Sequence, residues 1–338
     1  MNTIKILLKQ VVVFLVYSYS AFIICYFILR LIFWDRLWIV AFIGTFTPLI
    51  LLPILFLPII AFSLIKKRWF SIVSSIACIL LLSCLHVKYF SPQPINITNS
   101  QPSIKILSHN VGWNITKSPT LIKLIDQKQP DIIFLQETVK QHIAVFTSLK
   151  ADYPYQINLP PVGIFSKYPI VSSEILHLAN HPETQQRAVI NFNKQAIVIY
   201  NMQATGPWVK MYNILPFIKI PVYKYKQRFP EIQDLVERIQ QETLPVIVAG
   251  DFNMTDESED YYNVQKVLRD AFLKSGFGFG FTWPHGFFAK KFNLKLTYPV
   301  CRIDYIWHSK HWGAKSSSVL EATESDHLPV AAELILLK

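Results

Sequence analysis

The chain has 338 residues, 51% of them hydrophobic, and 33 basic against 22 acidic side chains give a net charge of +11. Residues 1–90 hold eight Lys or Arg and one acidic residue, Asp35, whereas the remainder holds 25 basic and 21 acidic residues, a net of only +4. The apolar excess also sits in the first ninety residues, so composition excludes an ordinary soluble protein and argues against a strongly basic nucleic-acid surface on the rest.

In chain order, the runs 10–33, 38–65 and 69–87 are each apolar and long enough to cross about 30 Å of hydrocarbon as a helix. Arg30, near the end of the first, can snorkel, and Pro48, Pro53 and Pro58 in the second are tolerated in membrane helices. Two further spans after the first argue against a cleaved leader. Lys5 and Lys9 before the first run, and Lys66, Lys67 and Arg68 between the second and third, favour the cytoplasm. They outweigh His86 and Lys88. The expectation is a multi-pass inner- or plasma-membrane protein with its N-terminus cytoplasmic and everything after the third span periplasmic or extracellular. Cys25, Cys78 and Cys84 lie in the apolar part and only Cys301 beyond it, so the later part forms no internal disulfide and offers no CxxC metal pair.

The expected organisation is a membrane anchor over 1–88, a linker over 89–102 marked by Pro92, Pro94 and Pro102, and a catalytic domain over 103–338. Within the domain, 104–110 reads as a strand, 119–128 as a helix, 132–135 as a buried strand, 138–149 as a helix, and 153–157 and 162–166 as strands. Strands at 187–193 and 195–201 pair around Asn193-Lys194. The stretch 206–223 mixes Trp208, Tyr212, Phe217 and Tyr223 with Lys210 and Lys219. Pro207, Pro216 and Pro221 break it too often for a core helix, so it either packs as core or forms a lip at lipid headgroups. Residues 227–241 read as a helix, 246–250 as a buried strand and 260–272 as a helix. A Phe- and Gly-rich loop covers 277–288, and strands follow at 303–307 and 328–337. Strands alternating with helices fit mixed sheets with helices outside.

Polar groups recur just past apolar strands: Asn110, Glu137, Asn201 with Gln203, Asp251 with Asn253, Asp304, and Asp326 with His327. Such repetition points to one shared site. Carboxylates and amides are hard oxygen ligands suited to Mg²⁺, Mn²⁺ or Ca²⁺, and a His beside carboxylates serves as general base or electrostatic stabiliser. That combination suits attack of water on a phosphate ester.

These stretches resemble, in the same order, the endonuclease/exonuclease/phosphatase (DNase I-like) superfamily. They are His109-Asn110, Leu135-Gln136-Glu137, Gly163 to Pro169, Gly250-Asp251-Phe252-Asn253, Arg302-Ile303-Asp304-Tyr305-Ile306 and Ser325-Asp326-His327-Leu328-Pro329. The resemblance implies a four-layer α/β sandwich, two mixed β-sheets flanked by helices, here preceded by three transmembrane helices. It implies metal binding by Glu137 and Asn110 with Asp326 as second carboxylate. Asp251 would activate water and touch the metal, Asn253 would hold the scissile phosphate, and Asp304 would orient a catalytic His327. One position departs: Asn201-Met202-Gln203 has Gln where the family usually has His. Gln203 can bind phosphate but cannot carry a proton. Asn201 is grouped with it as a phosphate contact. Arg187 is either a further phosphate contact or a solvated strand end, and His181 and His285 are the available substitutes for the missing imidazole.

Three functions remain in play. The first is metal-dependent hydrolysis of a phosphate ester outside the cytoplasmic membrane, with a lipid headgroup as substrate and the bilayer as partner of the helices. The second is the same chemistry on DNA or RNA, for which Lys290, Lys291 and Lys295 form a local basic run. The third is a catalytically impaired binding module, supported by Gln203.

Overall fold

The computed structural model describes residues 2–65, 67–95, 101–113, 118–215, 218–289 and 294–337. They divide into two compact units, one of Met1–Ser91, Lys210–Tyr223 and Glu257–Glu259, the other of Pro92–Val209, Lys224–Asp256 and Asp260–Lys338.

In the smaller unit, three helical stretches are long and apolar enough to cross a membrane: Ile4–Phe33, Thr47–Ile65 and Arg68–Tyr89. The first and last belong to α1 (Asn2–Phe33) and α5 (Arg68–Tyr89). The run 38–65 is not one regular helix. It splits into α2 (Trp38–Thr45), α3 (Thr47–Leu51), a 3-10 turn (Leu52–Phe56), α4 (Leu57–Ile60) and a π turn (Ala61–Ile65). Pro48, Pro53 and Pro58 each open one of these segments, where the missing N–H costs nothing. Val16, Ile23, Leu51, Ile54, Leu57, Ala61 and Phe70 pack together. Most of the remaining apolar surface faces outward, Leu31 at 87% and Phe62 at 79% exposure, as a lipid solvent requires. The stretch 206–223 forms a two-stranded ribbon of its own, β8 (Trp208–Leu215) with β9 (Ile218–Lys224). Its Tyr223 ring meets Phe42 at 5.6 Å and its hydroxyl lies 3.3 Å from Thr45 Oγ1, so this end of the ribbon packs with the apolar helices. Pro216 and Phe217 lie outside the described residues.

The larger unit is built on two mixed six-stranded sheets. The first runs in the order β15 (Trp312–Val319), β16 (Val330–Leu336), β1 (Ser103–Asn110), β2 (Ile132–Gln136), β4 (Val162–Ser166), β3 (Tyr155–Leu159). The second runs β11 (Arg269–Asp270), β14 (Asp304–His308), β10 (Val246–Asp251), β7 (Gln195–Gln203), β6 (Gln185–Phe192), β5 (Ile170–Leu176). A separate ribbon pairs β12 (Phe287–Ala289) with β13 (Leu294–Leu296). Ile104, Ile106, Ile132, Phe134, Ile197, Ile199, Ile247, Ala249 and Ile306 share one core between the sheets. The alternate residues face outward. Leu107, Ile133 and Leu135 pack with α6 (Pro119–Lys128) and with Phe146 of α7 (Lys140–Thr147). Val198, Tyr200, Val248 and Trp307 pack with α8 (Phe229–Gln241) and α9 (Glu259–Gln265). This is the expected four-layer α/β sandwich, its layers set by period-two alternation.

Two expectations need correction. The helix predicted over 260–272 is α9, then β11, then α10 (Ala271–Ser275), because Asp270 leaves the helix to cap the next one, accepting from Phe272 N and Leu273 N. Strands β5 and β15 have no counterpart in the sequence reading. The expected linker joins the sandwich by its end, with Gln93 N donating to Lys274 O and Ile95 N to Ala314 O.

Candidate active site

Strand parity decides which polar groups meet. Ile197 and Ile199 face the opposite sheet, so Asn201 and Gln203 in the same strand face it too. Ile247 and Ala249 set the same phase for Asp251, Ile306 for Asp304, Ile104 and Ile106 for Asn110, and Ile132 and Phe134 for Gln136. Pairing then aligns them: Asp251 lies opposite Gln203 on one side and Asp304 on the other, and Asn110 lies opposite Gln136. The interior thus turns from apolar to polar at one edge of the sandwich.

Asp251 is the centre of that edge. Its Oδ2 accepts from Asn110 Nδ2 at 3.0 Å and Asn253 Nδ2 at 3.2 Å, with Gln203 Nε2 at 3.5 Å, while Oδ1 accepts from Asn253 N at 2.8 Å. Asn253 folds back onto Asp251 through a left-handed conformation, φ +51°, which Asn tolerates better than most residues. Gly250 has φ +148°, and a Cβ there would lie 2.0 Å from the Met202 carbonyl oxygen. Only glycine lets β10 approach β7 this closely.

His327 arrives on the loop before β16. Ser325 fixes that loop, its hydroxyl donating to Asn110 O at 2.7 Å and accepting from His327 N at 3.1 Å. His327 Nδ1 lies 3.0 Å from Asp304 Oδ2, and Nε2 is 4.0 Å from Asp251 Oδ2. Asp326 accepts from Trp283 Nε1 at 3.2 Å. Glu137 steps out of strand parity at φ +55° and accepts from Trp113 N at 3.2 Å.

The electrostatics are those of crowded buried acids. Burial, then Asp304 and Glu137, push the Asp251 carboxyl up to about 7 against the opposing pull of His327. Burial alone would depress His327, but Asp304, Asp251 and Asp326 outweigh it and lift the imidazole to about 10. Glu137 is raised, chiefly by burial and also by Asp326. Four carboxylates therefore share one imidazolium, and a divalent cation fits this excess of negative charge and these hard oxygen donors. Asp251, Asp304 and His327 bring ligand atoms within 4.8 Å of one another. Asp304 is already spent on His327 Nδ1, however, and Asp251 accepts from several amides. We therefore read Asp304–His327 as an orienting pair; Asn110 Oδ1 likewise already accepts from Gly112 N at 3.0 Å, so the open oxygen capacity lies chiefly at Glu137 and Asp326.

Two predicted residues do not join the site. Asn201 faces the right way but is consumed in the core. Its Nδ2 donates to Leu135 O and Gly163 O, both at 3.0 Å, and its Oδ1 accepts from Gln136 Nε2 at 2.7 Å. It ties the two sheets together and has nothing left for phosphate. Arg187 has the opposite parity to its neighbour Ala188, so it leaves through the outer face. There it pairs with Glu242 at 2.7 Å and Tyr200 at 3.2 Å. His181 Nδ1 is held by Glu231 at 2.8 Å. The His285 backbone N–H donates to Asp326 O at 2.7 Å. Lys290 and Lys291 lie outside the described residues, and the side chain of Lys295 does too.

The structure adds residues that sequence reasoning missed. Arg228 donates to Asn253 O and pairs with Asp260 at 2.7 Å, buttressing the turn after Asp251. Thr282 Oγ1 accepts from Ile303 N at 3.2 Å and supports the start of β14. Neither carried a signal, since a lone Arg before a helix and a Thr in a loop read as ordinary surface.

A model of the Endonuclease/Exonuclease/phosphatase family matches residues 107–327. An endonuclease/exonuclease/phosphatase from Bacteroides vulgatus superposes with a TM-score of 0.56 at 18% identity, over 70% of this chain and 100% of that one. A family protein from Bacteroides thetaiotaomicron gives 0.51 at 20% identity, over 70% and 99%. D. rerio TDP2 complexed with single strand DNA product gives 0.53 at 17% identity, over 69% and 98%. At these identities the likeness establishes the fold. Among curated proteins none matches.

Proposed function

This chain belongs to the endonuclease/exonuclease/phosphatase family, and on that premise we propose that it hydrolyses a phosphate ester while anchored in a membrane by its apolar helices. The observation that carries the proposal is the convergence of Asn110, Glu137, Gln203, Asp251, Asn253 and the Asp304–His327 pair at one sheet edge. In this reading Asp251 positions the attacking water and takes its proton. The water oxygen bonds to phosphorus as the ester P–O bond breaks, and the leaving oxygen departs with the electron pair. Asn253 and Gln203 donate to phosphoryl oxygens. His327, kept protonated and oriented by Asp304, stabilises the charge that develops on them. Glu137, Asn110 and Asp326, with Asp251 at their margin, would hold Mg²⁺ or Mn²⁺, which neutralises phosphoryl charge as a Lewis acid when bound.

For the substrate we propose a phospholipid-type phosphodiester or headgroup phosphate, met on the far side of the cytoplasmic membrane. Three membrane-long helices and a ribbon packed with them support it, as do Lys5, Lys9, Lys67 and Arg68 for the orientation. The deciding experiment uses the full chain with Mg²⁺ or Mn²⁺. Mixed phospholipid vesicles, plasmid DNA, single-stranded DNA and RNA, and a chromogenic phosphodiester and phosphomonoester are compared, with Asp251→Asn as control. Metal-dependent lipid turnover lost in the control supports the proposal, and preferred cleavage of nucleic acid replaces its substrate class. Folded, metal-binding protein that turns over nothing refutes hydrolysis and leaves a binding module disabled at Gln203.

A further inference from the structure

The proposed reaction rests on the turn from Asp251 to Asn253, and the next residues of the chain are built into the membrane unit. Arg30 lies in α1 near its C-terminal end, where an unpaired guanidinium is expensive. Its Nη2 donates to Glu257 Oε2 at 2.8 Å and to Glu257 O at 2.6 Å, and its Nη1 donates to Tyr26 Oη at 3.2 Å. Lys88, in the last turn of α5, donates to the other oxygen, Glu257 Oε1, at 2.7 Å. Asp35 Oδ2 accepts from Glu259 N at 2.9 Å. All six residues belong to the smaller unit. Two cations from two helix ends therefore hold one carboxylate, and the loop after α1 holds the backbone two residues on.

Glu257 is four residues past Asn253, so the chain between them spans at most about 14 Å. Along that distance the chain is pinned at Asn253 O by Arg228 and at Asp256 by Arg302 at 3.5 Å, and just beyond Glu257 Arg228 also holds Asp260 at 2.7 Å. Asn253 keeps its left-handed conformation, φ +51°, and such a conformation persists only where its surroundings over-determine it.

We infer that Arg30 and Lys88 are positioning residues for the Asp251–Asn253 turn, acting through Glu257, so that the anchor is a working part of the hydrolytic site as well as a tether. The inference deepens the proposed function and rests on it for its catalytic half. The structural half stands on the contacts alone.

The test uses the full chain in detergent micelles, with Arg30→Met and Glu257→Gln as independent single variants. Arg30→Glu with Glu257→Arg serves as the reversed pair. Hydrogen exchange of the 252–259 amides reads the clamp whether or not the protein turns anything over. Exchange is expected to speed up about tenfold in that segment in both single variants, with β1 and β7 unchanged, and to return toward wild type in the reversed pair. On a water-soluble chromogenic phosphodiester, kcat is expected to fall about tenfold with KM changed less than twofold, since a displaced Asn253 misplaces the phosphate without removing a contact. Unchanged exchange in both single variants overturns the clamp. Faster exchange at unchanged kcat overturns the positioning role. A wild-type protein that hydrolyses nothing defeats the proposed function, and exchange then still decides the clamp.

Discussion

Replacing Gly250 by alanine tests the central geometric claim, that the site exists because β10 and β7 come closer at this point than any side chain permits. The added Cβ would sit 2.0 Å from Met202 O and 2.8 Å from both Met202 C and Met202 N. These are backbone atoms of the neighbouring strand, so no rotamer change relieves the overlap. The strands must separate by about 1.5 Å to restore ordinary contact. At φ +148° an L-residue adds about 1–3 kcal/mol of dihedral strain. Together these predict a loss of about 3 kcal/mol or more, a fall of several degrees in Tm. Asp251 and Gln203 face each other one residue further on, so their separation grows with the strands. A displacement of that size costs about a hundredfold in turnover. Gly278→Ala is the control: it also has positive φ, +88°, but nothing lies within 4 Å of its added Cβ, so about 1 kcal/mol is expected and no change in kcat. Thermal unfolding and phosphodiester turnover of the two variants measure both quantities. A Gly250→Ala protein as stable and active as wild type would refute the argument.

Three further predictions follow from single contacts. Arg187→Ala should cost about 1 kcal/mol of stability, discounted for the partial exposure of the Arg187–Glu242 pair, and leave kcat unchanged, which thermal melts beside initial rates will show. Asp304→Asn should lower turnover about a hundredfold and shift the alkaline limb of the pH–rate profile to lower pH, because the group that lifts His327 to about 10 becomes neutral. Burial lowers His308 to about 4, so the unfolded chain binds a proton below about 6.5 that the folded chain refuses. Stability is whole above that pH and falls by about 3 kcal/mol as pH drops to 4, and His308→Gln should flatten that part of a Tm–pH curve, with His109 keeping some of the slope.

The legibility of this chain follows where its strands are buried. Central strands such as β2 and β10 are buried at every position because each face packs against something, and the continuous apolar run that leads up to their polar last residue is visible in sequence. Within the two six-stranded sheets, the strands that escaped, β5, β11 and β15, are all edges. In β5, Val171 to Glu174 are exposed, and in β15 the Lys315-Ser316-Ser317-Ser318 stretch is largely open, so neither carries a core pattern. The same logic divides the candidate site. Residues that continue an apolar strand's inward phase, such as Asn110, Asp251 and Asp304, were legible as to direction. Whether a group so directed is free was not. Asn201 points inward and is spent on two carbonyls and Gln136, a fact that exists only once β2 and β4 lie opposite it. For Arg187, open in sequence between a phosphate contact and a strand end, phase favours the strand end, since Ala188 and Ile190 assign the inward face of β6.

That division bears on Gln203, where the chain departs from its family's usual histidine. Gln203 keeps the inward phase and sits 3.5 Å from Asp251 Oδ2, with its backbone oxygen held by Gln185 Nε2 at 2.6 Å. The position therefore still presents an N–H to the centre of the site, the donor that the proposed reaction asks of it. Proton transfer is the capacity that the exchange removes. His109 does not restore it, because burial holds it neutral, lowered to about 3, with Nε2 2.9 Å from Thr323 Oγ1. His327 already carries a proton at neutral pH. A second imidazolium beside it would suffer like-charge repulsion in a low-dielectric pocket. An amide at 203 avoids that repulsion and leaves His327 the undivided support of Asp304 and Asp251. The substitution is thus compatible with hydrolysis of esters whose leaving oxygen departs without needing a proton, and it weighs most against those whose leaving group is a poor one.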